Sequence, residues 1–365
     1  MFEFFLKNRN KFIGVDFGTS AIKVIELSSK QGKIYLENYG IFDLAGIIEN
    51  EKTPAENSVN QSYEDRMKRA LRSLMKNMGI KNGSAIVSVP SYSGLITLLE
   101  FPEMKKDEIE KAIEFEAYKY IPTSVDEVSI SWEILEDKNG QTEEDEKKNL
   151  VENKKIEVVL VAAPKKEIIK YEEFLNGTGL KIKAVEIETF SIVRSLIGNR
   201  QGNFIIVDIG LRTTNIILVR NGFVVLSRNI EAGGDDITKS ITESFNVSKQ
   251  RAEAIKREKK DIINDNEVAV VIPVLELLIG EIKRMMMVFS EKNKKDKIDE
   301  LVLSGGASLM KGIDIYFSEK LNIKVEQGDP WKNIEYDKKL EKQIKEIGNS
   351  FSVVIGLAVR GFEDK

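Results

Sequence analysis

Apolar runs that flank a glycine turn occur twice along the chain. Residues 13–27 read IGVDFGTSAIKVIEL, and residues 205–219 read IIVDIGLRTTNIILV. Valine and isoleucine on both sides of an Asp-x-Gly turn are typical of a β-hairpin. A third strand is predicted after each hairpin, over 33–44 and over 222–230. The two copies lie too far apart for a solenoid repeat, so the pattern predicts a duplicated domain.

Strands and helices alternate between the two hairpins and after the second one. Apolar residues at helical spacing predict helices over 63–78, 106–120, 165–175, 189–197, 237–245, 249–260 and 272–291. Shorter apolar runs predict strands over 85–89, 128–135 and 156–162 and from Leu301 onwards. This mixture predicts an α/β protein. The charged segment over 136–155 is predicted to be a solvated loop, and the charged helix over 249–260 is predicted to be exposed.

Composition removes several kinds of chemistry. The 365 residues include no cysteine and no histidine, so disulfides, thiolate nucleophiles, Ser-His-Asp triads and imidazole metal ligands are excluded. A bound metal must therefore be held by oxygen, which favours magnesium or calcium. The net charge is only -4 with both signs mixed, which argues against nucleic acid as a partner. Because the sequence shows neither a membrane-spanning apolar stretch nor a secretory signal pattern, a cytoplasmic protein is expected.

The two Asp-x-Gly turns are candidate phosphate sites. Such a turn presents backbone N–H groups outward, and glycine lets a polyphosphate approach the backbone closely. The residues concerned are Asp16, Gly18, Thr19, Ser20 and Lys23 in the first copy, and Asp208 and Gly210 in the second. Asp16 and Asp208 are predicted to hold a magnesium ion through its water ligands. The alternative is a pair of ordinary hairpins, but two aligned copies favour the phosphate interpretation.

Two further glycine turns add candidate nucleotide contacts. Ser304, Gly305 and Gly306 join an apolar strand to the start of a helix, a turn that can lie near the phosphates or ribose of a nucleotide. Gly233 and Gly234 open another helix. Taken alone each turn is also what close packing would require, so each adds weight only beside the two hairpins.

In their order along the chain, these segments resemble the motifs of the superfamily that contains actin, sugar kinases and heat-shock chaperone ATPases. The matching segments are 16–20 (first phosphate motif), 208–210 with Thr213 and Thr214 (second phosphate motif), 304–307 (adenosine motif), and 185–194 and 351–360 (connecting helices). The resemblance implies an actin-like ATPase fold, with two duplicated RNase H-like domains and an inserted α/β subdomain. It also implies ATP and Mg²⁺ as ligands.

Within this superfamily the chain most resembles the PilM family of type IV pilus assembly. The similarity is carried by the segments 13–28, 101–122, 158–195 and 233–238. The resemblance implies a cytoplasmic protein that binds the N-terminal cytoplasmic peptide of the membrane protein PilN near the inserted subdomain. Through PilN the protein would join the inner-membrane pilus alignment complex, at the inner face of the cytoplasmic membrane. The resemblance leaves self-association open.

The matches predict a division into five parts. Residues 1–84 begin the first actin-like domain, 85–180 form the inserted subdomain, and 181–199 form a connecting helix. The remaining parts are the second domain over 200–345, with a smaller subdomain at about 231–292, and a C-terminal connecting helix over 346–365 that returns to the first domain.

Three groups of side chains qualify the resemblance. Leu211 and Arg212 occupy a turn that is usually small in the second phosphate motif, which predicts slow or absent hydrolysis more than lost binding. Glu188 is the candidate for a catalytic role, positioning the hydrolytic water, with a structural role as the alternative. Glu281 and Arg284 lie three apart on one face of the long helix and are candidate nucleotide contacts, or else a surface ion pair.

The helix over 106–120 predicts where a partner peptide docks. Ile109, Ile113 and Tyr120 form one apolar stripe, and Phe115 lies off it. Apolar surface therefore remains for an extended peptide between the first domain and the inserted subdomain. The alternative is that a second subdomain covers this surface.

Other functions use the same fold. An FtsA-like division protein would end in an amphipathic membrane-binding helix, and the residues before Lys365 show no such pattern. An MreB-like filament is disfavoured by the segment over 101–122. A small-molecule kinase would need a carboxylate base beside an acceptor hydroxyl, and the sequence identifies none.

Overall fold

The computed structural model of the protein describes residues 10–44, 63–120, 127–135, 155–258, 260–265, 270–292 and 296–363. The predicted loop over 136–155 lies outside these ranges except for Lys155. The strands are β1 (Asn10–Phe17), β2 (Ala21–Lys30), β3 (Lys33–Asp43), β4 (Gly83–Val89), β5 (Leu95–Pro102), β6 (Val128–Leu135), β7 (Lys155–Pro164), β8 (Leu180–Ile187), β9 (Asn203–Ile209), β10 (Thr214–Arg220), β11 (Phe223–Ile230), β12 (Glu300–Ser304), β13 (Val325–Gln327) and β14 (Ile334–Glu335).

Helices alternate with these strands. They are α1 (Tyr63–Asn77), α2 (Lys106–Ala117), α3 (Lys165–Leu175), α4 (Glu188–Leu196), α5 (Gly234–Phe245), α6 (Lys249–Arg257), α7 (Pro273–Lys292), α8 (Ile313–Leu321), α9 (Glu341–Ile347) and α10 (Ser352–Glu363). Short 3₁₀ helices cover Ser91–Ser93, Gly306–Leu309, Lys338–Leu340 and Gly348–Phe351. Within the described ranges, no helix combines the length and the apolar character needed to cross a bilayer.

The first sheet is built around the first hairpin and has the strand order β14-β3-β2-β1-β4-β8. Strand β1 runs antiparallel to β2 and parallel to β4. Helices α1 and α3 cover one face, where Leu71 and Phe174 are buried in one cluster with Phe17. Helix α10 covers the other face. A Cβ at Gly14 would lie 2.2 Å from the carbonyl oxygen of Val354, so glycine is what lets β1 and α10 pack this closely.

The second sheet repeats this arrangement, with the order β11-β10-β9-β12-β13. Strand β9 runs antiparallel to β10 and parallel to β12, as β1 does with β2 and β4. Helix α7 buries Leu278, Ile282 and Phe289 in the core of this half. The two sheets share one topology, which confirms the duplicated domain predicted from the two hairpins.

The inserted subdomain is a three-stranded antiparallel sheet, β5-β7-β6, with α2 packed on it. Ile109, Ile113 and Ala117 of α2 are buried against this sheet. The predicted bounds of 85–180 are too wide. Strands β4 and β8 pair within the first sheet, and α3 buries Tyr171 and Phe174 in the core of the first domain.

Helices α4 and α10 cross closely where the two halves of the chain join. A Cβ at Gly356 would lie 1.9 Å from the carbonyl oxygen of Ser191, so the crossing requires glycine. Glu186 ties the same region together, because its carboxylate accepts hydrogen bonds from Arg194 at 2.6 Å and from Arg360 at 2.7 Å. These contacts hold both connecting helices on the first sheet.

The chain returns to the first sheet earlier than the sequence predicts. Strand β14 pairs in parallel with β3, so Ile334 already belongs to the first sheet and the predicted end of the second domain at 345 is wrong. The segment over 185–194 is also not helical throughout, because its first three residues belong to β8. The sequence does not predict β14 because a strand of two residues is too short to show an alternation of apolar and polar positions.

Candidate functional site

A cleft of about 860 Å³ opens between the two sheets, at the turns of their hairpins. The predicted site residues that line it are Asp16, Gly18, Thr19, Ser20, Lys23, Glu188, Asp208, Gly210, Thr213, Gly234, Gly305 and Gly306. The predicted site residues that lie outside its lining are Thr214, Gly233, Glu281, Arg284 and Ser304. The cleft therefore gathers motifs from both halves of the chain.

The two hairpin turns have the same hydrogen bond. The N–H of Gly18 donates to the carbonyl of Ala21 at 3.1 Å, and the N–H of Gly210 donates to the carbonyl of Thr213 at 2.9 Å. A Cβ at Gly210 would lie 2.8 Å from that carbonyl oxygen, so a larger residue would open the turn. The sequence repeat thus corresponds to a repeated backbone geometry on opposite walls of the cleft.

Asp16 is a buried carboxylate on the first hairpin, and Asp208 is a half-buried carboxylate on the second. Burial raises the pKa of Asp16, against the opposing effects of the Lys23 cation and of the Ser88 hydroxyl, which donates to Oδ1 at 2.9 Å. Burial also raises the pKa of Asp208, against a hydrogen bond from Ser304 and the charge of Lys23. The negative charge of Asp16 also raises the pKa of Asp208. A cation in the cleft would relieve this repulsion.

Glu188 is a third carboxylate in the cleft, at the start of α4. Burial raises its pKa to about 7, and the negative charge of Asp16 adds to this rise. Two donors on Ser91 oppose it, the N–H at 2.9 Å and the hydroxyl at 2.8 Å, both to Oε1. A carboxyl with such a pKa can take up or release a proton near neutral pH.

The Gly233-Gly234 turn packs a helix onto the second hairpin. The N–H of Gly234 donates to the carbonyl of Gly210 at 2.9 Å, and the N–H of Asp235 donates to that of Leu211 at 2.8 Å. A Cβ at Gly233 would lie 2.7 Å from the carbonyl oxygen of Gly210. These first N–H groups of α5 are therefore used by the protein, and Gly233 has a packing role.

The Ser-Gly-Gly turn brings backbone of the second half to the cleft, beside the second hairpin. Gly305 has a φ of +83°, and a Cβ there would lie 2.4 Å from the carbonyl oxygen of Ile209. Gly305 and Gly306 line the cleft, whereas Ser304 is buried beneath it. Thr214 is also buried, with its hydroxyl donating to the carbonyl of Ala232 at 2.7 Å. Ser304 and Thr214 support the walls from behind.

Helix α7 does not reach the cleft with the side chains predicted to do so. Glu281 and Arg284 form an ion pair with each other at 2.5 Å, and Arg284 is exposed. The structure therefore supports the alternative interpretation, a surface pair. Helix α7 is amphipathic: Arg284 lies on its exposed side, and Glu281 is half-buried beside the face that packs on the second sheet.

Helix α6 supplies the side chains that sequence reasoning missed. Glu253, Lys256 and Arg257 line the cleft, although this helix was predicted to be merely exposed. Lys256 is buried, and its ammonium donates to the carbonyl of Gly234 at 2.9 Å and to Glu253 at 2.6 Å. Burial lowers the pKa of Lys256, while Glu253 opposes that change. The spacing of Ala252 and Lys256 on one helix face was the available signal.

Of the two large side chains in the second turn, only one lies where the sequence suggests. Leu211 lines the cleft, whereas Arg212 is absent from the described lining. Lys23 lines it as well, and its ammonium donates to the carbonyl of Ser350 at 2.8 Å. Lys23 therefore connects the first hairpin to the segment that leads into α10.

The oxygen atoms of the cleft can be compared with the needs of a metal ion. Among the described residues, no three acidic side chains come together as a ready set of metal ligands. A hydrated magnesium ion typically needs only one or two carboxylates, because it keeps several of its waters. Asp16 and Asp208 fit that requirement, since both carboxylates line the cleft and the charge of Asp16 raises the pKa of Asp208.

Comparison with solved structures identifies the fold. The chain is similar to a solved PilM–PilN type IV pilus biogenesis complex, with a TM-score of 0.73 and 24% identity over 96% of this chain and 98% of that one. Two sheets of one topology, an inserted subdomain and a cleft between paired glycine turns define an actin-like ATPase fold. The fold class predicted from the sequence is confirmed.

Comparison of the sequence identifies the family. The model of the family described as "Type IV pilus assembly protein PilM" matches residues 14–362, so the chain belongs to the PilM family. It is also 20% identical to the cell division protein FtsA of Bacillus subtilis (strain 168), over 89% of this chain and 80% of that protein. The FtsA of Streptococcus pneumoniae serotype 2 (strain D39 / NCTC 7466) is 20% identical over 67% of this chain, and the match spans 55% of its own length.

Proposed function

We propose that this chain binds ATP with magnesium in the cleft and acts as a cytoplasmic scaffold of type IV pilus assembly. The observation that carries the nucleotide part is the pair of matching glycine turns on opposite walls of one cleft, each preceded by an aspartate that lines it. The charge of Asp16 raises the pKa of Asp208, so a bound cation would add to the stabilisation that Lys23 gives both carboxylates.

The predicted turn residues that line the cleft have roles in this proposal. Residues of the two turns, with the hydroxyls of Thr19 and Ser20, would hold the phosphates, and Lys23 would add positive charge. Asp16 and Asp208 would hold the hydrated magnesium ion. Bound magnesium offsets the charge of the terminal phosphates. The adenosine would lie on the other side of the cleft, between the Gly305-Gly306 turn and helix α6.

Nucleotide binding is tested by stability. A ligand at 100 times its Kd stabilises the native state by roughly 2.7 kcal/mol. ATP with magnesium should therefore raise the melting temperature, and a fluorescent ATP analogue should bind in a magnesium-dependent manner. No shift at millimolar nucleotide, with no nucleotide copurifying from cells, would refute the proposal.

Hydrolysis is proposed to be slow or absent. Leu211 lines the cleft at the second turn, where its side chain takes up space beside the phosphates. Slow turnover suits a scaffold, which needs only two states of different partner affinity. Single-turnover assays check this, and a kcat near the ~10 s⁻¹ median of enzymes without any partner would contradict it.

The partner proposed is the N-terminal cytoplasmic peptide of PilN. On the inserted subdomain Phe115 is 70% exposed, Tyr118 64% and Tyr120 45%, while Ile109 and Ile113 are buried beneath them. The helix thus carries aromatic surface beyond what its own sheet covers, next to the edge strands β5 and β6. An extended peptide gains main-chain hydrogen bonds at a strand edge and specificity from side-chain pockets. The similarity to a solved PilM–PilN complex supports this choice.

Peptide binding is tested by fluorescence polarisation with the first ~20 residues of the cognate membrane protein. If ATP changes the angle between the two halves, peptide affinity should differ between apo and ATP-loaded protein. By linkage the peptide must then change ATP affinity by the same factor. Equal affinities would remove the nucleotide switch, and no binding in either state would remove PilN as the partner. Recruitment to the inner face of the cytoplasmic membrane would follow from this contact.

A cell-division or filament-forming role is the second candidate. The observation that favours it is the match to FtsA over most of this chain. Sedimentation with ATP and magnesium distinguishes the two, because polymers pellet whereas a scaffold stays in solution alone and with its peptide.

A further inference from the structure

The side chain of Asn215 reaches from the second sheet to the first. Asn215 lies on β10, 4% exposed, and its amide nitrogen donates to Ser91 Oγ at 2.7 Å and to Thr189 Oγ1 at 3.0 Å. Its carbonyl oxygen accepts a hydrogen bond from the Ser227 hydroxyl at 2.8 Å. With the Ser227 hydroxyl donating to the oxygen end of the amide, the NH₂ end faces Ser91.

The direction of the remaining bonds follows from counting protons. The Thr189 hydroxyl donates to Ser91 Oγ at 3.1 Å, so Ser91 Oγ accepts from two partners. Its single proton is then left for Glu188 Oε1 at 2.8 Å, which also accepts from the Ser91 N–H at 2.9 Å. With both donors on Oε1, no described residue is seen to donate to Oε2, the other oxygen of this carboxylate.

We propose that Asn215 is a positioning residue for Glu188, acting through the Ser91 hydroxyl and aligning the carboxylate only while the two sheets are in contact. This inference rests on the proposed nucleotide site. In hydrolysis a water oxygen bonds to the γ-phosphorus while the bond to the bridging oxygen breaks. ADP leaves with that electron pair, and Oε2 of Glu188 receives the proton from water.

The relay also connects the cleft to the inserted subdomain. Ser91 lies between β4 of the first sheet and β5 of the inserted sheet, so its position depends on both. Movement of either the second sheet or the inserted subdomain would release the Ser91 hydroxyl from its fixed direction. A partner bound to the inserted subdomain therefore has a route to Glu188 that does not require contact with the nucleotide.

The experiment is a double-mutant cycle on the full chain with Asn215→Ala, Ser91→Ala and both together. Ser91→Thr keeps the hydroxyl and should retain wild-type behaviour. Ser227→Ala removes no side chain that lines the cleft and frees the Asn215 amide to turn over. Ser240→Ala, an exposed hydroxyl on α5 outside the cleft, is the matched control.

Three measurements are made on each variant. They are the ATP Kd with magnesium, the single-turnover rate constant at saturating ATP, and the melting temperature of the nucleotide-free protein. We expect each alanine variant to slow hydrolysis at least tenfold with Kd within threefold of wild type, and the double variant to be no slower than Ser91→Ala. Without nucleotide, the melting-temperature losses of the two alanine variants should not add.

Each contrary result would refute either the relay or the proposed function. Additive effects in both the rate and the melting temperature, or an Asn215→Ala protein with wild-type turnover, would overturn the relay. If Asn215→Ala does not fold, Ser227→Ala alone decides, and an unchanged rate there overturns the relay. A wild-type protein that binds ATP but hydrolyses none would also overturn the relay, while the proposed function would survive. A wild-type protein that binds no ATP would refute the proposed function itself.

Discussion

Lys23 and Asn215 occupy the same position in the two copies of the hairpin. Lys23 is the cross-strand neighbour of Asp16, and Asn215 is the cross-strand neighbour of Asp208. The first copy thus places a cation beside its aspartate, and the second places a neutral amide there. The duplicated turns keep one backbone, but the two walls of the cleft differ in charge at this position.

Removing either aspartate should separate metal dependence from folding. Asp16→Asn and Asp208→Asn keep side-chain shape and lose charge, so each should weaken magnesium-dependent ATP binding by about tenfold or more. Because burial raises the pKa of both carboxylates, the neutral amides should leave the melting temperature of the nucleotide-free protein unchanged or higher. Titration of a fluorescent ATP analogue at several magnesium concentrations measures this. Asp296→Asn, an exposed position outside the cleft, is the control, and unchanged magnesium dependence in both cleft variants would refute the metal assignment.

Glu188 should make stability depend on pH. Its pKa is raised to about 7 from a usual value of 4.5, so the folded state binds the proton more tightly than the unfolded chain. Its contribution is therefore fully present below about pH 4.5 and is lost as pH rises through about 7. Glu188→Gln stays neutral, so its stability advantage over wild type should grow between pH 5 and 8 towards roughly 3 kcal/mol. Urea unfolding without nucleotide or magnesium tests this, and a constant difference across that range would contradict the raised pKa.

The crossing of the connecting helices should not tolerate a methyl group. Gly356→Ala places a Cβ 1.9 Å from the Ser191 carbonyl oxygen, so the helices must separate, at a cost of about 3 kcal/mol. Gly280→Ala on α7 is the matched control, since a Cβ there meets nothing within 4 Å. Removing a helical glycine at an open position should stabilise by about 0.5–1 kcal/mol. Thermal or urea unfolding measures both, and equal effects of the two substitutions would show that the close crossing does not matter.

Helix α6 and helix α7 make opposite predictions for nucleotide binding. Lys256→Met removes a buried cation that lines the cleft and should raise the ATP Kd by about tenfold. Arg284→Met removes an exposed cation on α7 and should leave the Kd unchanged. Equilibrium binding of a fluorescent ATP analogue compares them directly. If only Arg284→Met weakened ATP binding, the result would support the sequence-based assignment of Arg284 as a nucleotide contact.

The aromatic surface of the inserted subdomain should carry peptide affinity without carrying stability. Phe115→Ala and Tyr118→Ala remove mostly exposed rings, so each should weaken binding of the partner peptide by about tenfold while shifting unfolding by less than about 0.5 kcal/mol. Ile315→Ala, 45% exposed on α8 of the second half, is the control. Fluorescence polarisation and thermal melts together test this. Wild-type peptide affinity in both aromatic variants would move the docking site elsewhere.

The sequence predicts the fold best where a pattern of apolar residues and glycines occurs twice. The sequence predicts both hairpins because their apolar runs and glycines recur. The same alignment, extended by one residue, aligns Asn215 with Lys23. Helix α3 was predicted with the bounds it has in the structure, since its apolar spacing lies between a proline and a glycine. The segments that resemble the superfamily's motifs predict the correct fold because they follow one another along the chain in the superfamily's order.

Tertiary contacts account for what the sequence could not predict. Lys256 reads as a surface residue in a charged helix, and only its approach to the carbonyl of Gly234 makes it a buried part of the cleft. Glu281 and Arg284 have the correct spacing to share a face, but spacing does not say which way that face points. Ser91 and Thr189 lie far apart along the chain and in no recognisable motif, so their hydrogen bond appears only once β4 and β8 pair in the first sheet.

The pairing of β14 with β3 has a consequence for synthesis on the ribosome. The first sheet draws strands from near the start of the chain and from Ile334, and α10 then covers one of its faces. The second sheet, in contrast, is complete once β13 has been made. As the chain emerges, the strands of the second sheet can therefore pair before the first sheet receives β14. The second sheet also awaits α10, because Val353 and Leu357 pack with Ile206. A released fragment ending at residue 333 should therefore resist protease more in the second half than in the first.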